Sequence, residues 1–406
     1  MTMSEAASQT PPFTLRRALS LNLLQNRYPA LHGLRVLAIF TVLQVHVTAI
    51  LKAAGLMTDL GLQTLSEMVW YGMDLFFVLS GFLIGSMLLH NEQKSTEDAS
   101  PRGRAAGLWR FWKRRAFRTF PLYYLVLTAL LVAPAAPPRG PGTTLLEYLY
   151  LTNYLPNVLT ATMPWAWSLC VEEHFYLLVP FLVLGVSVVR RPWLRLAALG
   201  LLWLSCLAVR LALWQPRAGS WTDAELFLTF YPRTHTRYDT LVVGVALAFA
   251  QHHYEPALRR VFARWWVRLG AWAVALGCLL YLMIPPPLRP RETWCLYAWG
   301  SVTGVMYAAL VLRLLNHPGV LTRLLGHRYF LYLATLGYGV YLVHLPVMAY
   351  VIAPVSRWLL VTRGWALGRV WWLSLFGLFA ASQAVAYVLH LLVEKPMLAV
   401  RDRLAP

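Results

Sequence analysis

The sequence predicts an all-α protein, a polytopic transmembrane bundle of about ten helices with both termini in the cytoplasm. Hydrophobic residues make up 58% of the 406-residue chain and charged residues only 13%. Soluble domains average about 45–50% apolar and about 25% charged residues. The mean hydropathy is +0.53, and the apolar residues recur in stretches of about 20 residues, the length that a helix needs to cross a bilayer.

Ten apolar stretches are predicted to span the membrane; the third is short and the first half of the sixth is polar. They are 33–53, 67–89, 120–135, 166–187, 194–214, 227–250, 267–284, 294–314, 329–353 and 366–393. Together they form one predicted transmembrane domain over 31–396, between cytoplasmic tails at 1–30 and 397–406. The first tail lacks the apolar core of a signal peptide.

The basic residues decide the predicted orientation, because the cytoplasmic connections of membrane proteins carry an excess of Lys and Arg. With the amino terminus inside, the inner segments receive most of these residues: Arg16, Arg17, Arg27, the cluster Arg110 to Arg118, Arg190, Arg191, Arg259, Arg260, Arg264, Arg323, Arg328, Arg401 and Arg403. The net charge of +19 therefore follows a membrane-orientation pattern and does not indicate nucleic-acid binding.

The cysteines give no sign of a metal or redox site. Cys170, Cys206, Cys278 and Cys295 stand singly in apolar stretches. The sequence contains neither a CxxC pair nor an HExxH motif, so no metal site is expected. The four thiols are predicted to be small buried hydrophobic groups.

Two ionisable residues interrupt the first span. Arg35 and His46 are eleven residues apart, close to three helical turns, so they share one face about 16 Å apart along the axis. Such residues are costly in a membrane and indicate a functional site by default. The pair suits an acyl-CoA, whose phosphates would meet Arg35 and whose thioester would lie near His46. The alternative is an arginine that reaches the interface and a hydrogen-bonded core histidine.

Polar residues of the second span and of the segment that precedes the third also allow two interpretations. Asp74 is an intramembrane carboxylate, either a site residue or the ion-pair partner of an arginine. Ser80 and Gly81 offer a small-residue face for close helix packing. Arg115 and Arg118 share a helix face at the membrane surface, where they bind the phosphates of a nucleotide-like ligand or only determine the topology.

Further polar groups lie in the later spans. Glu172 and Glu173 stand at the start of the fourth span, which suits a proton relay, a carboxylate that orients an imidazole, or a structural cluster. Arg237 belongs to the polar half of the sixth span, and Tyr341 and His344 share a face of the ninth. This interior fits an enzyme or a proton-coupled transporter, and spacing does not choose between them.

Seven motifs occur in order along almost the whole chain: R-x10-H at 35–46, FFVLSGFLI at 76–84, RRAFRTFP at 114–121, WSLCVEEHFYLLVP at 167–180, RYDTLVVGVALA at 237–248, GYGVYLVHLPV at 337–347 and LVEKP at 392–396. Together they resemble the acyltransferase-3 family of integral membrane O-acyltransferases. The resemblance implies a ten-helix core in the cell membrane, the inner membrane of a bacterium. It also implies acyl transfer, commonly of acetyl, from cytoplasmic acyl-CoA to a hydroxyl of a carbohydrate or lipid-linked glycan.

The resemblance also implies roles for individual residues. Arg35 and His46 match the essential pair of the first helix, and Glu172 matches the carboxylate of the WSLxxE motif. Arg115 and Arg118 match the RxxR pair. The remaining candidates for the site are Asp74 as a catalytic group and, as lining residues, Ser80, Gly81, Glu173, Arg237, Tyr341 and His344.

The resulting hypothesis is an acyltransferase that uses acyl-CoA, commonly acetyl-CoA, as a co-substrate and needs no tightly bound cofactor. CoA phosphates would dock near Arg35, Arg115 and Arg118. His46, oriented by Glu172, would act as the general base on the acceptor hydroxyl. The rival hypothesis is a proton-coupled transporter or flippase, which would move a solute without any dependence on acyl-CoA.

Overall fold

The computed structural model describes residues 20–24, 27–68, 71–94, 101–133, 140–284 and 290–404, and all regular secondary structure in them is helical. The first helices are α1 (Pro29–Ala53), α2 (Leu60–Met68), α3 (Gly72–Lys94), α4 (Pro101–Leu131), α5 (Pro141–Tyr148), α6 (Trp167–Ser187), α7 (Pro192–Trp214), α8 (Asp223–Phe230) and α9 (Asp239–Ala263). The others are α10 (Trp265–Leu282), α11 (Arg291–Tyr297), α12 (Thr303–Asn316), α13 (Val320–Leu325), α14 (Arg328–Thr335), α15 (Gly337–Val347), α16 (Ala353–Arg357), α17 (Leu367–Leu389) and α18 (Lys395–Leu404).

The fold is a polytopic helical bundle, as predicted. Within the described residues, eight helical stretches are long and apolar enough to cross a membrane: Pro29–Ala53, Gly72–Asn91, Pro164–Ser187, Pro192–Arg217, Trp265–Leu282, Arg291–Asn316, Gly337–Thr362 and Leu367–Leu404. Several of them join two helices through a π-helical segment, such as Ala298–Val302 between α11 and α12. The other two predicted spans fall in α4 and α9, which carry more charge.

The predicted sixth span, 227–250, was wrong as a single helix. An irregular segment, 231–238, separates α8 from α9. Pro232 lacks a backbone N–H, so it cannot extend the hydrogen-bond ladder of α8, and the Thr236 hydroxyl caps the Phe230 carbonyl at 2.8 Å. Arg237 therefore lies in a connection and not within a helix.

The ninth span, predicted as 329–353, runs instead from Gly337 to Thr362, because α14 is a separate short helix before it. Boundaries of the second and third spans also differ from the prediction. The second span begins at Gly72 rather than at 67, because α2 is a separate short helix. The third span, predicted from 120, is the end of a much longer helix that begins at Pro101. Hydropathy misses the first half of α4 because it is rich in Arg and Lys; 134–135, the end of the predicted span, lies outside the described residues.

Parts of both predicted cytoplasmic tails pack on the bundle. The backbone N–H of Asn22 donates to His390 Nε2 at 3.2 Å, and Lys395 Nζ donates to the Ser20 carbonyl at 2.7 Å. At the other end of the chain, α18 extends to Leu404. Because residues 20–22 meet residues 390–395, these two segments lie on the same side of the bundle.

Close contact between α3 and α9 explains one of the predicted small-residue faces. A Cβ atom on Gly81 would lie 2.1 Å from the Leu241 carbonyl oxygen and 3.1 Å from the Cα of Gly244. A Cβ on Gly244 would lie 2.2 Å from the Val78 carbonyl oxygen. These neighbours are backbone atoms of another helix, so they cannot move aside as a flexible side chain would. Only glycine fits at both positions.

We therefore expect Gly244→Ala to destabilise the bundle by about 1–3 kcal/mol, the usual cost of overpacking. The matched control is Gly200→Ala in α7, where the added Cβ would meet no heavy atom within 4 Å; this change should be neutral or slightly stabilising. Thermal unfolding in detergent measures both. Equal unfolding temperatures for the two variants would contradict the close approach of α3 and α9.

Candidate functional site

The two ionisable residues of α1 face the interior of the bundle. Arg35 and His46 are each half-buried, whereas Leu37 on the opposite side of the helix is 46% exposed. Because α1 is continuous, the two side chains leave the helix about 16 Å apart along its axis.

Three arginines and a carboxylate gather at the inner end of this face. Arg35 lies within electrostatic range of Arg118, Arg115 and Glu172. The Arg115 guanidinium lies 5.6 Å from the ring centroid of Tyr176, whose hydroxyl donates to Glu172 Oε2 at 3.3 Å. Arg35, Arg115 and Arg118 are termed the cationic cluster. Glu173 also interacts with Arg115, so three positive charges face two carboxylates and leave an excess that favours an anionic ligand.

At the other end, His46 meets the imidazole of His344, and the two are termed the imidazole pair. His344 Nε2 lies 3.2 Å from His46 Nδ1. His344 Nδ1 lies 2.6 Å from the Tyr341 carbonyl oxygen, and His46 Nδ1 lies 3.0 Å from the Val42 carbonyl oxygen. Carbonyl oxygens only accept, so we assign the proton to Nδ1 in both rings. His344 Nε2 then accepts from His46, and the Nε2 lone pair of His46 stays available for a proton.

One face of α6 connects the cationic cluster with the imidazole pair. Ser168, Glu172 and Tyr176 follow at four-residue intervals, so they form a polar stripe about 12 Å long. Ser168 Oγ lies 2.6 Å from the hydroxyl of Tyr341, next to the imidazole pair. Tyr176 lies at the other end of the stripe, where its hydroxyl is 2.9 Å from Ser80 Oγ. The polar stripe of α6 thus runs alongside the face of α1 that carries Arg35 and His46, where the intervening Ile39 and Val42 are buried and apolar.

The imidazole pair lies next to the segment that immediately precedes α6. The Tyr341 hydroxyl donates to the Trp165 carbonyl at 2.5 Å, and the Trp165 ring stands edge-on to that of His344, with centroids 6.1 Å apart. Trp165 precedes α6, on the side of the bundle opposite the cationic cluster. His46 therefore lies toward the end of the bundle opposite the cationic cluster.

Four fully buried charges form a separate group, termed the buried ion-pair cluster. Arg237 pairs with Asp74 at 2.8 Å and Arg210 pairs with Asp239 at 2.8 Å, and all four side chains have no exposed surface. Arg210 also donates to Ser301 Oγ at 2.6 Å. Buried charges need such partners, because an unpaired one costs several kcal/mol. The ion-pair interpretation of Asp74 is confirmed.

The predicted site residues therefore fall into four groups. Asp74 and Arg237 belong to the buried ion-pair cluster, and Gly81 lies at the α3–α9 contact. Glu173 is half-buried near Thr119 and Arg115. The other predicted residues lie at the cationic cluster, at the imidazole pair or along the polar stripe of α6 that joins them: Arg35, His46, Ser80, Arg115, Arg118, Glu172, Tyr341 and His344. Their roles in binding and catalysis stay predictions.

One predicted arrangement differs from the structure. Glu172 was expected to orient His46, but its hydrogen bond is to Tyr176, and His344 occupies the expected position beside His46. Helical spacing places Glu172 on the inner half of the path, about 6 Å inward of Ser168. The sequence analysis also missed Arg210, although an arginine within the apolar stretch LAVRLALW signals a buried partner.

A family described as an acyltransferase domain matches residues 28–391. The chain is 26% identical over 346 residues to the peptidoglycan O-acetyltransferase OatA of Listeria monocytogenes, an alignment that covers 79% of this chain and 49% of that protein. It is 24% identical over 347 residues to the O-acetyltransferase OatA of Staphylococcus aureus, covering 80% and 51%. The chain thus spans about half the length of these curated relatives. No solved structure matches it.

Proposed function

The chain belongs to the acyltransferase-3 family, and from this premise we propose that it transfers an acetyl group from cytoplasmic acyl-CoA to a hydroxyl of a carbohydrate. The names of the relatives support acetyl as the acyl group, and one of them supports peptidoglycan, a carbohydrate, as the acceptor. One observation supports the donor most strongly: a cationic cluster and an imidazole pair stand at the two ends of one polar path.

The length of that path matches acyl-CoA. Thirteen bonds separate the thioester sulfur from the first phosphorus, and an extended chain advances by about 1.2 Å per bond, so the pantetheine arm spans about 16 Å. The same distance separates Arg35 from His46 along α1. With its pyrophosphate against the cationic cluster, the donor would bring its thioester to the imidazole pair.

The chemistry follows from the protonation assigned above. The acceptor hydroxyl oxygen attacks the thioester carbonyl carbon while its proton moves to His46 Nε2. The C–S bond then breaks, and the thiolate of CoA takes the proton back from His46. The products are an O-acetyl ester and free CoA. While His46 is protonated, its Nδ1–H donates to His344 Nε2, and this hydrogen bond stabilises and orients the imidazolium ion, although without the negative charge of a carboxylate.

This arrangement also explains how a cytoplasmic donor reaches an acceptor on the other side. His46 is 17 residues into α1, a depth of about 26 Å in a hydrocarbon core about 30 Å thick. The pantetheine arm would therefore carry the acetyl group over about 16 Å, roughly half of the hydrocarbon core, and the acceptor would approach past Trp165. Incubating the purified protein with labelled acetyl-CoA and peptidoglycan fragments tests the proposal; no labelled product from any acyl-CoA would contradict it.

His344 is proposed as a positioning residue, so its replacement should affect turnover more than donor binding. We expect His344→Phe to lower kcat by about 10- to 100-fold through loss of the hydrogen bond to His46, with the KM for acetyl-CoA unchanged. His344→Gln, which keeps an acceptor, should recover part of the loss. Equal kcat values for the Phe and Gln variants would show that His344 only fills space.

A further inference from the structure

A cavity of about 200 Å³ opens at the end of the bundle where α1 begins. It lies between the chain just before α1, the last turns of α3 and the second half of α9. Its lining includes Arg27, Tyr28, Ser86, His90, Gln251 and His252. The pockets of whole drug-sized ligands measure about 300–1,000 Å³, so this cavity suits one end of a larger molecule.

The cavity lies beyond Arg35 on the side away from His46, where the proposed donor path would continue. Tyr28 precedes Arg35 by seven residues, about 10 Å further toward the inner face at the rise of a helix. A donor with its pyrophosphate at Arg35 and its pantetheine arm directed toward His46 has only its nucleotide left to place. That nucleotide extends from the pyrophosphate away from the arm, which is where the cavity lies.

The lining of the cavity has groups that recognise a nucleobase. The Tyr28 ring is held edge-on to Phe82, with centroids 5.0 Å apart, and offers an aromatic surface on which a base can stack. Gln251 Oε1 accepts from Asn316 Nδ2 at 3.1 Å. The Gln251 amide nitrogen is thereby oriented as a donor at the cavity, where a nitrogen or oxygen atom of a base can accept from it.

The charge of the cavity suits a phosphate. Arg27 contributes a guanidinium, and its carbon Cζ lies 5.5 Å from the Tyr28 ring centroid, so cation and aromatic surface stand side by side. His90 and His252 add imidazoles. The acidic residue of the lining, Glu255, is paired with Arg259 at 2.7 Å, which compensates its charge.

We propose that this cavity binds the adenosine 3′-phosphate end of acyl-CoA, with the base against Tyr28 and Gln251 and the 3′-phosphate against Arg27. The inference rests on the proposed function, because it names the subsite that holds the far end of the same donor. It divides donor recognition into two parts: the cationic cluster for the pyrophosphate and the cavity for the nucleoside phosphate.

Donors of different length test the inference. Initial rates of acetyl transfer are measured with acetyl-CoA, acetyl-3′-dephospho-CoA and acetyl-pantetheine for the unmodified protein, Arg27→Ala and Ser86→Phe, which fills the cavity. Arg27→Ala should raise the KM for acetyl-CoA by about 10- to 100-fold, the value of a charge-assisted contact with a phosphate. It should leave the KM for the dephospho and pantetheine donors unchanged. Ser86→Phe should raise the KM for both nucleotide donors and leave acetyl-pantetheine unaffected.

Arg323→Ala is the matched control, since Arg323 is an exposed arginine of α13 outside the cavity; it should behave as the unmodified protein with all three donors. If Arg27→Ala and Ser86→Phe change the KM for all three donors equally, or for none of them, the proposed nucleotide subsite is wrong. A cavity that binds a lipid headgroup would give this result. If the unmodified protein transfers nothing from acetyl-CoA, the proposed function fails and this inference with it.

Discussion

Replacing His46 with alanine should reduce acetyl transfer by about 100- to 10,000-fold, the usual contribution of a general base. The change removes the Nε2 atom that would take the proton of the acceptor hydroxyl. His46 is half-buried and faces a polar path, so its loss should leave the bundle folded. Transfer of label from acetyl-CoA to peptidoglycan fragments measures the effect, and detergent unfolding curves check the fold.

His327→Ala is a suitable control for that experiment, because His327 is exposed and precedes α14; it should retain full activity. The unfolding temperature of His46→Ala should stay close to that of the unmodified protein. A folded His46→Ala variant that retains most of its acetyl transfer would show that the imidazole pair does not carry out the chemistry.

The second large effect is expected when Asp74 is replaced with alanine, and it should be a loss of stability rather than a loss of turnover alone. Asp74→Ala leaves the Arg237 guanidinium buried without its ion-pair partner, and breaking such a pair costs about 3–5 kcal/mol. We expect a strong fall in unfolding temperature and in the yield of folded protein. Thermal unfolding in detergent, followed by size-exclusion chromatography, measures both.

The double variant Asp74→Leu with Arg237→Met separates a structural role from a catalytic one. Removing both charges leaves neither unpaired, so most of the lost stability should return. If the double variant is stable and active, Asp74 acts through the fold. A stable Asp74→Ala variant that has lost only its transfer activity would instead support the predicted catalytic role of Asp74.

The fold could be predicted largely because the membrane restricts the choices. Apolar stretches of about 20 residues indicate spanning helices with little ambiguity, and most of the ten stretches coincide with helices of the structure. The errors arose where polar residues are structured by tertiary contacts. The charged first half of α4 and the break between α8 and α9 are invisible to hydropathy, which records composition and not hydrogen bonding.

The site could be predicted in part, for a related reason. Helical spacing places Arg35 and His46 on one face, and it predicts correctly that they share the interior of the bundle. The partner of His46 could not be found in this way, because His344 is 298 residues away in the chain. The motifs pointed to Glu172 as the residue that orients His46. Which side chain reaches the imidazole is determined by the packing of α15 against α1, and the sequence does not show this packing.

The orientation that we propose combines two kinds of evidence. Residues 20–22 meet residues 390–395 on one side of the bundle, and the positive-inside pattern predicts that this side is cytoplasmic. The cationic cluster lies at that end of the path, and the imidazole pair lies near the other. An acetyl donor confined to the cytoplasm and an acceptor confined to the outside would then meet at His46.

Acetyl transfer across the membrane of sealed liposomes tests this claim most directly. The purified protein is inserted into liposomes in one orientation, labelled acetyl-CoA is supplied on the side of the chain termini, and peptidoglycan fragments are enclosed on the other side. We expect labelled acetyl ester on the enclosed fragments. We expect no labelled ester when acetyl-CoA is enclosed and the fragments are supplied outside, and none with the His46→Ala variant. Labelled product that forms equally in both arrangements would contradict a donor path that begins at the cationic cluster and ends at the imidazole pair.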